Sequence, residues 1–153
     1  MTVNIYIESS CKGPRQLNAV GIYVMEALED DGKPLMVNGE PWVKTKKEVF
    51  ESVNHNVIIM KLLIEALKRM KKPSVIRIFT SNDHVFYTLE NGWNIQWKKN
   101  GWRNARNIQI KHPELWAELT EELQKHSYSV TKEGHSYLKW MEEQVKNGGN
   151  EYV

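Results

Sequence analysis

Apolar and polar positions in the first part of the chain alternate as they do in β-strands. Residues 3–8 carry β-branched and aromatic side chains in an alternating pattern, which predicts a first strand. A Gly-Pro pair within residues 9–15 predicts a turn, and residues 18–25 predict a second strand. The Asp-Asp-Gly-Lys-Pro run at 30–34 predicts a hairpin loop that leads to a third strand around residues 35–37.

The spacing of apolar residues becomes helical in the middle of the chain. It predicts a long helix from about residue 54 to residue 72, which Pro73 ends. The apolar face of this helix consists of Val57, Met60, Leu63, Ile64, Leu67 and Met70. The other predicted elements are strands at 74–80 and 128–131 and helices at 83–91, 113–125 and 136–146.

This order of elements predicts an α/β fold in which helices pack on a mixed sheet. The chain has 153 residues, of which 41% are hydrophobic. This length and composition fit one domain, which we expect over residues 1–147. The Gly- and Asn-rich residues 148–153 are expected to form a flexible tail.

Composition adds an expectation about the compartment. No apolar run approaches the roughly 20 residues that span a bilayer, and no signal peptide is visible at the start. The one cysteine, Cys11, excludes an internal disulfide and fits a reducing compartment. We therefore expect a cytoplasmic protein without a membrane partner.

A basic segment with four tryptophans, which spans residues 93–116, is the most informative part of the sequence. The tryptophans are Trp93, Trp97, Trp102 and Trp116. The cations are Lys98, Lys99, Arg103, Arg106 and Lys111, and no Asp or Glu lies between residues 91 and 113. The whole chain has a net charge of only +2, so this charge is local. Such a pattern favours contact with a phosphate backbone, although core tryptophans with a solvated lysine rim would have the same pattern.

With these motifs and this element order, the chain resembles type 1 ribonuclease H, which cuts the RNA strand of RNA/DNA hybrids. The resemblance covers nearly the whole chain, and its strongest part is the tryptophan spacing of the basic segment with Trp97-Lys98-Lys99 and Gly101-Trp102 inside it. It implies a ribonuclease H-like fold with a five-stranded mixed sheet whose first three strands are antiparallel. It also implies that the basic segment is the protrusion, or handle, that contacts the hybrid's backbone.

The resemblance implies four acids that hold two Mg²⁺ ions, and this sequence departs from that set. The first acid falls on Glu8, where the family has an Asp, and the second falls on Ile58, which cannot coordinate a cation. The third falls on Asn82, with Asp83 as a substitute only if the backbone shifts by one residue. We therefore expect a degenerate carboxylate set.

The end of the chain supplies the remaining implied catalytic positions. Glu142 is the nearest match to the fourth acid, with Glu143 as the other option, and either glutamate could equally be a solvated helix residue. His135 matches the family's mobile loop histidine. The expected metal ligands are thus Glu8, Asp83 and Glu142, and Mg²⁺ or Mn²⁺ would bind weakly.

The resemblance also implies positions that touch the substrate. Asn54 and His55 fall where the family contacts the minor groove of the hybrid, although Asn54 also suits a helix N-cap. The full implied nucleic-acid-binding set is Asn54, His55, His84, Trp93, Lys98, Lys99, Trp102, Arg103 and Arg106. The family's phosphate pocket falls on Pro14 and Val53, which lack the small polar side chains it uses.

Three functional hypotheses follow from these observations. The first is a protein that binds RNA/DNA hybrid or structured RNA and cleaves it weakly or not at all. The second is an active Mg²⁺- or Mn²⁺-dependent nuclease that uses Glu8, Asp83 and Glu142. The third is a scaffold whose former substrate face binds a protein partner. A monomer is expected in each case.

Overall fold

The computed structural model of the chain describes residues 1–11 and 16–150, with the backbone alone described for residues 16 and 147–150. The strands are β1 (Thr2–Ser9), β2 (Gln16–Leu28), β3 (Met36–Val37), β4 (Glu40–Pro41), β5 (Val43–Val53), β6 (Val75–Thr80) and β7 (Ser127–Thr131). The helices are α1 (His55–Lys68), α2 (Asp83–Glu90), α3 (Trp93–Lys99), α4 (Pro113–Leu123) and α5 (Leu138–Asn150).

Five of the strands form one mixed sheet in the order β5-β2-β1-β6-β7. β1 pairs antiparallel with β2, and β2 pairs antiparallel with β5, whereas β6 is parallel to both β1 and β7. The expected five-stranded sheet with three antiparallel strands first is therefore confirmed. Because β1 and β6 are parallel, with Ile7 beside Thr80, their carboxyl ends meet at one edge of the sheet.

A strand is present where the third one was predicted, but it does not belong to the five-stranded sheet. Residues 36–41 form a small separate hairpin of β3 and β4, and the third long strand of the sheet is β5. β5 lies at the edge of the sheet, and of its residues only Phe50 is buried. An edge strand with both faces largely in solvent lacks the apolar alternation by which strands are recognised, and lysines are common there.

The helices also differ in part from the predicted ones. α1 begins where predicted, because the Oδ1 of Asn54 accepts a hydrogen bond from the N–H of Val57 at 3.0 Å. It ends at Lys68 rather than at residue 72, since the N–H groups of Arg69 and Met70 bond three residues back and tighten the last turn. α3 is a helix that the sequence pattern did not predict, and it begins after Gly92 in the left-handed conformation.

The core has two layers, one on each face of the sheet. α1 lies against β1 and β2 on one face, with α4 packed against α1, and α5 lies against β2 and β1 on the other. Val3, Ile5 and Ile7 of β1 point into the first layer, and Tyr6 points into the second. In the described residues no helix is long and apolar enough to cross a bilayer.

Two predicted segments fall partly or wholly outside the described residues. The turn at 9–15 is described only up to residue 11. The predicted tail at 148–153 overlaps the end of α5, which runs to Asn150, and its last three residues lie outside the described part.

Gly21 marks the closest approach between the sheet and α1, and it yields a stability prediction. A Cβ at Gly21 would lie 2.5 Å from Leu62 Cδ1 and 2.7 Å from Ile58 Cγ2. We expect Gly21→Ala to lower the free energy of unfolding by about 1–3 kcal/mol through overpacking. Gly134→Ala is the matched control, because nothing lies within 4 Å of a Cβ there. Urea unfolding measures both, and equal effects of the two substitutions would contradict this account of the packing.

Candidate functional site

The edge at which β1 and β6 end brings Glu8 and Asn82 into one region. Glu8 is the penultimate residue of β1 and is only 2% exposed, and Ser81 and Asn82 directly follow β6. The hydroxyl of Ser81 donates a hydrogen bond to Glu8 Oε1 at 2.6 Å. The carboxylate of Glu8 is thus held inside the structure by a neighbouring hydroxyl, and the sequence pattern had not singled out Ser81.

Both halves of the Asn82 amide are engaged in hydrogen bonds that stabilise helices. Its Oδ1 accepts from the N–H of Val85 at 2.7 Å, which caps the N-terminus of α2. Its Nδ2 donates to Oδ1 of Asn56 in the first turn of α1 at 2.8 Å. Asn82 therefore joins two helices with a neutral amide pair. Asn56 was missed by sequence reasoning, since no local pattern reports a contact between residues this far apart.

Asp83 is directed towards β7 and not towards Glu8. Its carboxylate forms an ion pair with Lys132, which follows β7, and its side chain is 70% exposed. The hydrogen bond from Lys132 to Asp83 raises the pKa of this lysine. Because β6 lies between β1 and β7, Asp83 faces the opposite side of β6 from Glu8.

Ile58 lies on α1 and is fully buried in the first core layer. Its Cγ2 packs against the backbone of β2 at Gly21, where no side chain intervenes. The position that the resemblance assigns to the second catalytic acid is therefore an aliphatic contact between helix and sheet.

His135 lies in the loop between β7 and α5 and packs against aromatic rings. Its ring centroid is 4.3 Å from that of Tyr6 and 5.6 Å from that of Phe79. Its Nδ1 accepts the backbone N–H of Tyr137 at 3.2 Å, so the proton of the neutral ring is on Nε2. Burial lowers the pKa of His135, against the opposing effect of Glu26 and Glu142. The structure thus favours a neutral imidazole.

The two glutamates considered for the fourth acid are exposed on α5. Met141 and Val145 of this helix are buried against the second core layer, which leaves Glu142 and Glu143 at the surface. Across residues 1–11 and 16–150, no three His, Cys, Asp or Glu side chains are grouped so that they could hold a metal ion.

The implied substrate positions outside the basic segment have structural roles as well. Asn54 is the N-cap of α1, and His55 is the first residue of that helix. The His84 ring makes an edge contact with Trp116 at 5.7 Å, and its partial burial, followed by the charges of His112 and Lys111, lowers its pKa. Val53 ends β5 and is half-buried, and Pro14 lies outside the described residues.

The four tryptophans divide between the core and the surface. Trp116 is fully buried and makes an edge contact with Trp97 at 5.7 Å. Trp97 and Trp102 are partly buried against the first core layer, and Trp93 is 42% exposed. Three of the tryptophans therefore pack against the core, as the core interpretation predicts, and Trp93 presents its ring to solvent.

The loop between α3 and α4 is held in shape by Asn104. Its Oδ1 accepts from the N–H groups of Arg106 and Ile108, at 2.9 and 3.1 Å. A guanidinium nitrogen of Arg103 donates to the carbonyl of Asn107 at 3.0 Å. Asn104 was not predicted as a site residue, although asparagines are typical of such turns.

The five cations of the basic segment are all exposed at the surface. Lys98 donates to the side-chain oxygen of Gln124 at 2.6 Å, and in the described part of the chain none of the five forms an ion pair with a carboxylate. Lys98 and Lys99 lie on α3 and the other three lie on the loop that follows it, so their charge is available to an external anion.

Comparison with known proteins places the chain in a family by sequence and relates its fold to solved structures. The sequence model of the ribonuclease H family matches residues 1–150. A ribonuclease H of Clostridium botulinum (strain Hall) is 31% identical over 135 residues, which cover 88% of this chain and 84% of that protein. The crystal structure of LC9-RNase H1, a type 1 RNase H with the type 2 active-site motif, aligns with a TM-score of 0.71 at 14% identity over 99% of this chain and 74% of that one.

A further crystal structure, of LC11-RNase H1 in complex with an RNA/DNA hybrid, aligns with a TM-score of 0.62 at 11% identity. The alignment covers 98% of each chain. At these identities the two structures establish the fold, and the sequence matches establish the family.

The hydrogen bonds of Asn82 lead to a second stability prediction. We expect Asn82→Ala to lower the free energy of unfolding by about 1–3 kcal/mol, because it removes an N-cap and a buried hydrogen bond to Asn56. Asn82→Ser is the matched variant, since serine caps helices well and should recover about 1 kcal/mol of this loss. Thermal and urea unfolding measure both, and an unaffected Asn82→Ala protein would contradict the bridging role of the amide.

Proposed function

This chain belongs to the ribonuclease H family, and on that premise we propose that it binds RNA/DNA hybrid or structured RNA through its basic segment and cleaves RNA weakly or not at all. The observation that carries the loss of cleavage is the complete burial of Ile58 in the apolar core. An aliphatic side chain offers no oxygen to a cation, and an acid at this position would place a charge among apolar groups.

The other family positions support the same proposal. Two-metal hydrolysis requires ions about 3.5–4 Å apart that are bridged by carboxylates. Here the Oδ1 of Asn82 is occupied by a helix N–H, Asp83 is paired with Lys132, and Glu142 is at the surface of α5. Glu8 alone retains a buried carboxylate at the edge of the sheet. These residues do not fit a pair of Mg²⁺ ions, so no catalytic step is assigned to them.

Binding requires none of those carboxylates. The exposed cations of the basic segment can neutralise phosphates, and the hydrogen bonds of Asn104 hold the loop backbone at Arg106 and Ile108 before binding. Trp93 offers an exposed aromatic face beside them. At the N-terminus of α1, the cap uses only the Oδ1 of Asn54, so its Nδ2 can donate to a 2′-hydroxyl.

The proposal also covers the cellular location, the oligomeric state and the metal dependence of binding. A cytoplasmic location follows from the reducing compartment that Cys11 favours, and the protein would act as a monomer. Because binding does not involve the carboxylates, it would not depend on Mg²⁺ or Mn²⁺.

Salt dependence gives a direct test of binding by the basic segment. With five phosphate contacts, we expect the affinity for an RNA/DNA hybrid to fall with a log–log salt slope of about −4 to −5. Lys99→Gln/Arg106→Gln should flatten the slope by about 2, whereas Lys139→Gln/Lys146→Gln on α5 should leave it unchanged. Fluorescence anisotropy with labelled hybrid, in Mg²⁺ and in EDTA at equal ionic strength, provides the measurement. A flat salt response, or loss of binding in EDTA, would refute the proposal.

The second candidate is a nuclease with a rearranged acidic site, and the buried carboxylate of Glu8 is the observation that favours it. We nevertheless expect no metal-dependent hydrolysis, because the side-chain oxygens of Asn82 and Asp83 are engaged with Val85 and Lys132. Labelled RNA in a hybrid should be hydrolysed no faster by the native protein than by Glu8→Gln, with either Mg²⁺ or Mn²⁺. Hydrolysis that Glu8→Gln abolishes and Mn²⁺ enhances would establish the rearranged nuclease instead.

A further inference from the structure

An apolar cavity of about 270 Å³ lies at the end of the sheet remote from Glu8. Its apolar floor consists of Met1, Val3, Ala27, Leu35, Trp42 and Met70. Val3 and Glu8 lie near opposite ends of β1, and five strand residues span roughly 16 Å. The cavity is therefore separate from the edge at which β1 and β6 end.

The small hairpin of β3 and β4 builds one wall of this cavity. The N–H of Trp42 donates to the carbonyl of Leu35 at 2.8 Å, so the two residues that flank the hairpin are bonded to each other. The N–H of Leu35 donates to the carbonyl of Ala27 at 2.9 Å, which ties the hairpin to β2. Leu35 and Trp42 are thus fixed in place, and the cavity is formed in advance of any ligand.

The rim of the cavity is positively charged. Arg69, Lys71 and Lys72, which follow α1, line it together with the apolar floor, and no Asp or Glu of the described residues is among its lining groups. The neighbouring Lys68 and Lys125 form ion pairs with Glu118 and Glu122. By contrast, none of the three rim cations forms an ion pair within residues 1–11 and 16–150, and Arg69 lies over the ring of Tyr23 at 5.6 Å.

We propose that this cavity binds an acidic segment of a partner protein that inserts one large apolar side chain. The cavity is smaller than the about 300–1,000 Å³ of most small-molecule sites, which suits a single aromatic or branched side chain. Carboxylates that flank this side chain would face Arg69, Lys71 and Lys72. The charge of the rim complements an acidic segment, and the closed apolar floor distinguishes the site from a surface that follows a phosphate backbone.

A peptide titration followed by two-dimensional ¹H–¹⁵N NMR tests the proposal on the full chain. The probe is the acetylated, amidated peptide Glu-Asp-Phe-Asp-Glu, and the matched peptides replace Phe by Ala or all four acids by their amides. We expect saturable shifts at the amides of Leu35 and Met70 and at the indole N–H of Trp42 with the first peptide alone. Lys71→Glu/Lys72→Glu should weaken its binding by about tenfold, and Lys139→Glu/Lys146→Glu should not.

Several results would overturn this inference. One is the absence of shifts at millimolar peptide, and another is equal binding of the Phe and Ala peptides. A third is that a short RNA/DNA hybrid shifts the same resonances and that Lys71→Glu/Lys72→Glu abolishes hybrid binding. These two results together would assign the cavity and its rim to nucleic acid. Because the basic segment is tested by its own variants, failure here would leave the proposed function standing.

Discussion

The side-chain amide of Asn82 joins the N-terminus of α2 to the first turn of α1 at the edge where β1 and β6 end. This interaction stabilises the fold with a neutral group at the position where the resemblance implies a carboxylate. An amide brings no negative charge to a cation, and the Oδ1 of Asn82 already accepts a helix N–H. The same two hydrogen bonds join the two helices and fix the orientation of this amide at the edge of the sheet.

The neighbouring positions Ile58 and His135 also make packing contacts with uncharged side chains. Ile58 fills the space above Gly21, and the imidazole of His135 stacks on Tyr6 as a neutral ring. Asp83 is neutralised by Lys132 on the far side of β6. In contrast, the cations of the basic segment carry no internal ion pairs in the described structure. The molecule thus separates a compact neutral centre from a charged surface, and the proposed binding depends on that surface alone.

Sequence patterns predicted most of the fold because the central strands and α1 are buried and strongly periodic. They failed at β5, because the lysines and glutamates of this exposed edge strand hide the apolar alternation. They also failed at α3, because its residues belong to the basic segment and were not recognised as helical. For the site, the sequence alone showed that Ile58 cannot coordinate a cation. The Asn82–Asn56 pair, the Ser81–Glu8 contact and the direction of Asp83 required coordinates, because each depends on how distant elements meet.

The central claim is that no pair of divalent cations assembles between Glu8 and Asn82. Crystals of the protein with an RNA/DNA hybrid, soaked in Mn²⁺ and measured for anomalous scattering, test it directly. We predict a bound hybrid along the basic segment and no anomalous peak beside the Glu8 carboxylate. Two peaks about 3.5–4 Å apart, bridged by Glu8 and a neighbouring oxygen, would contradict the account.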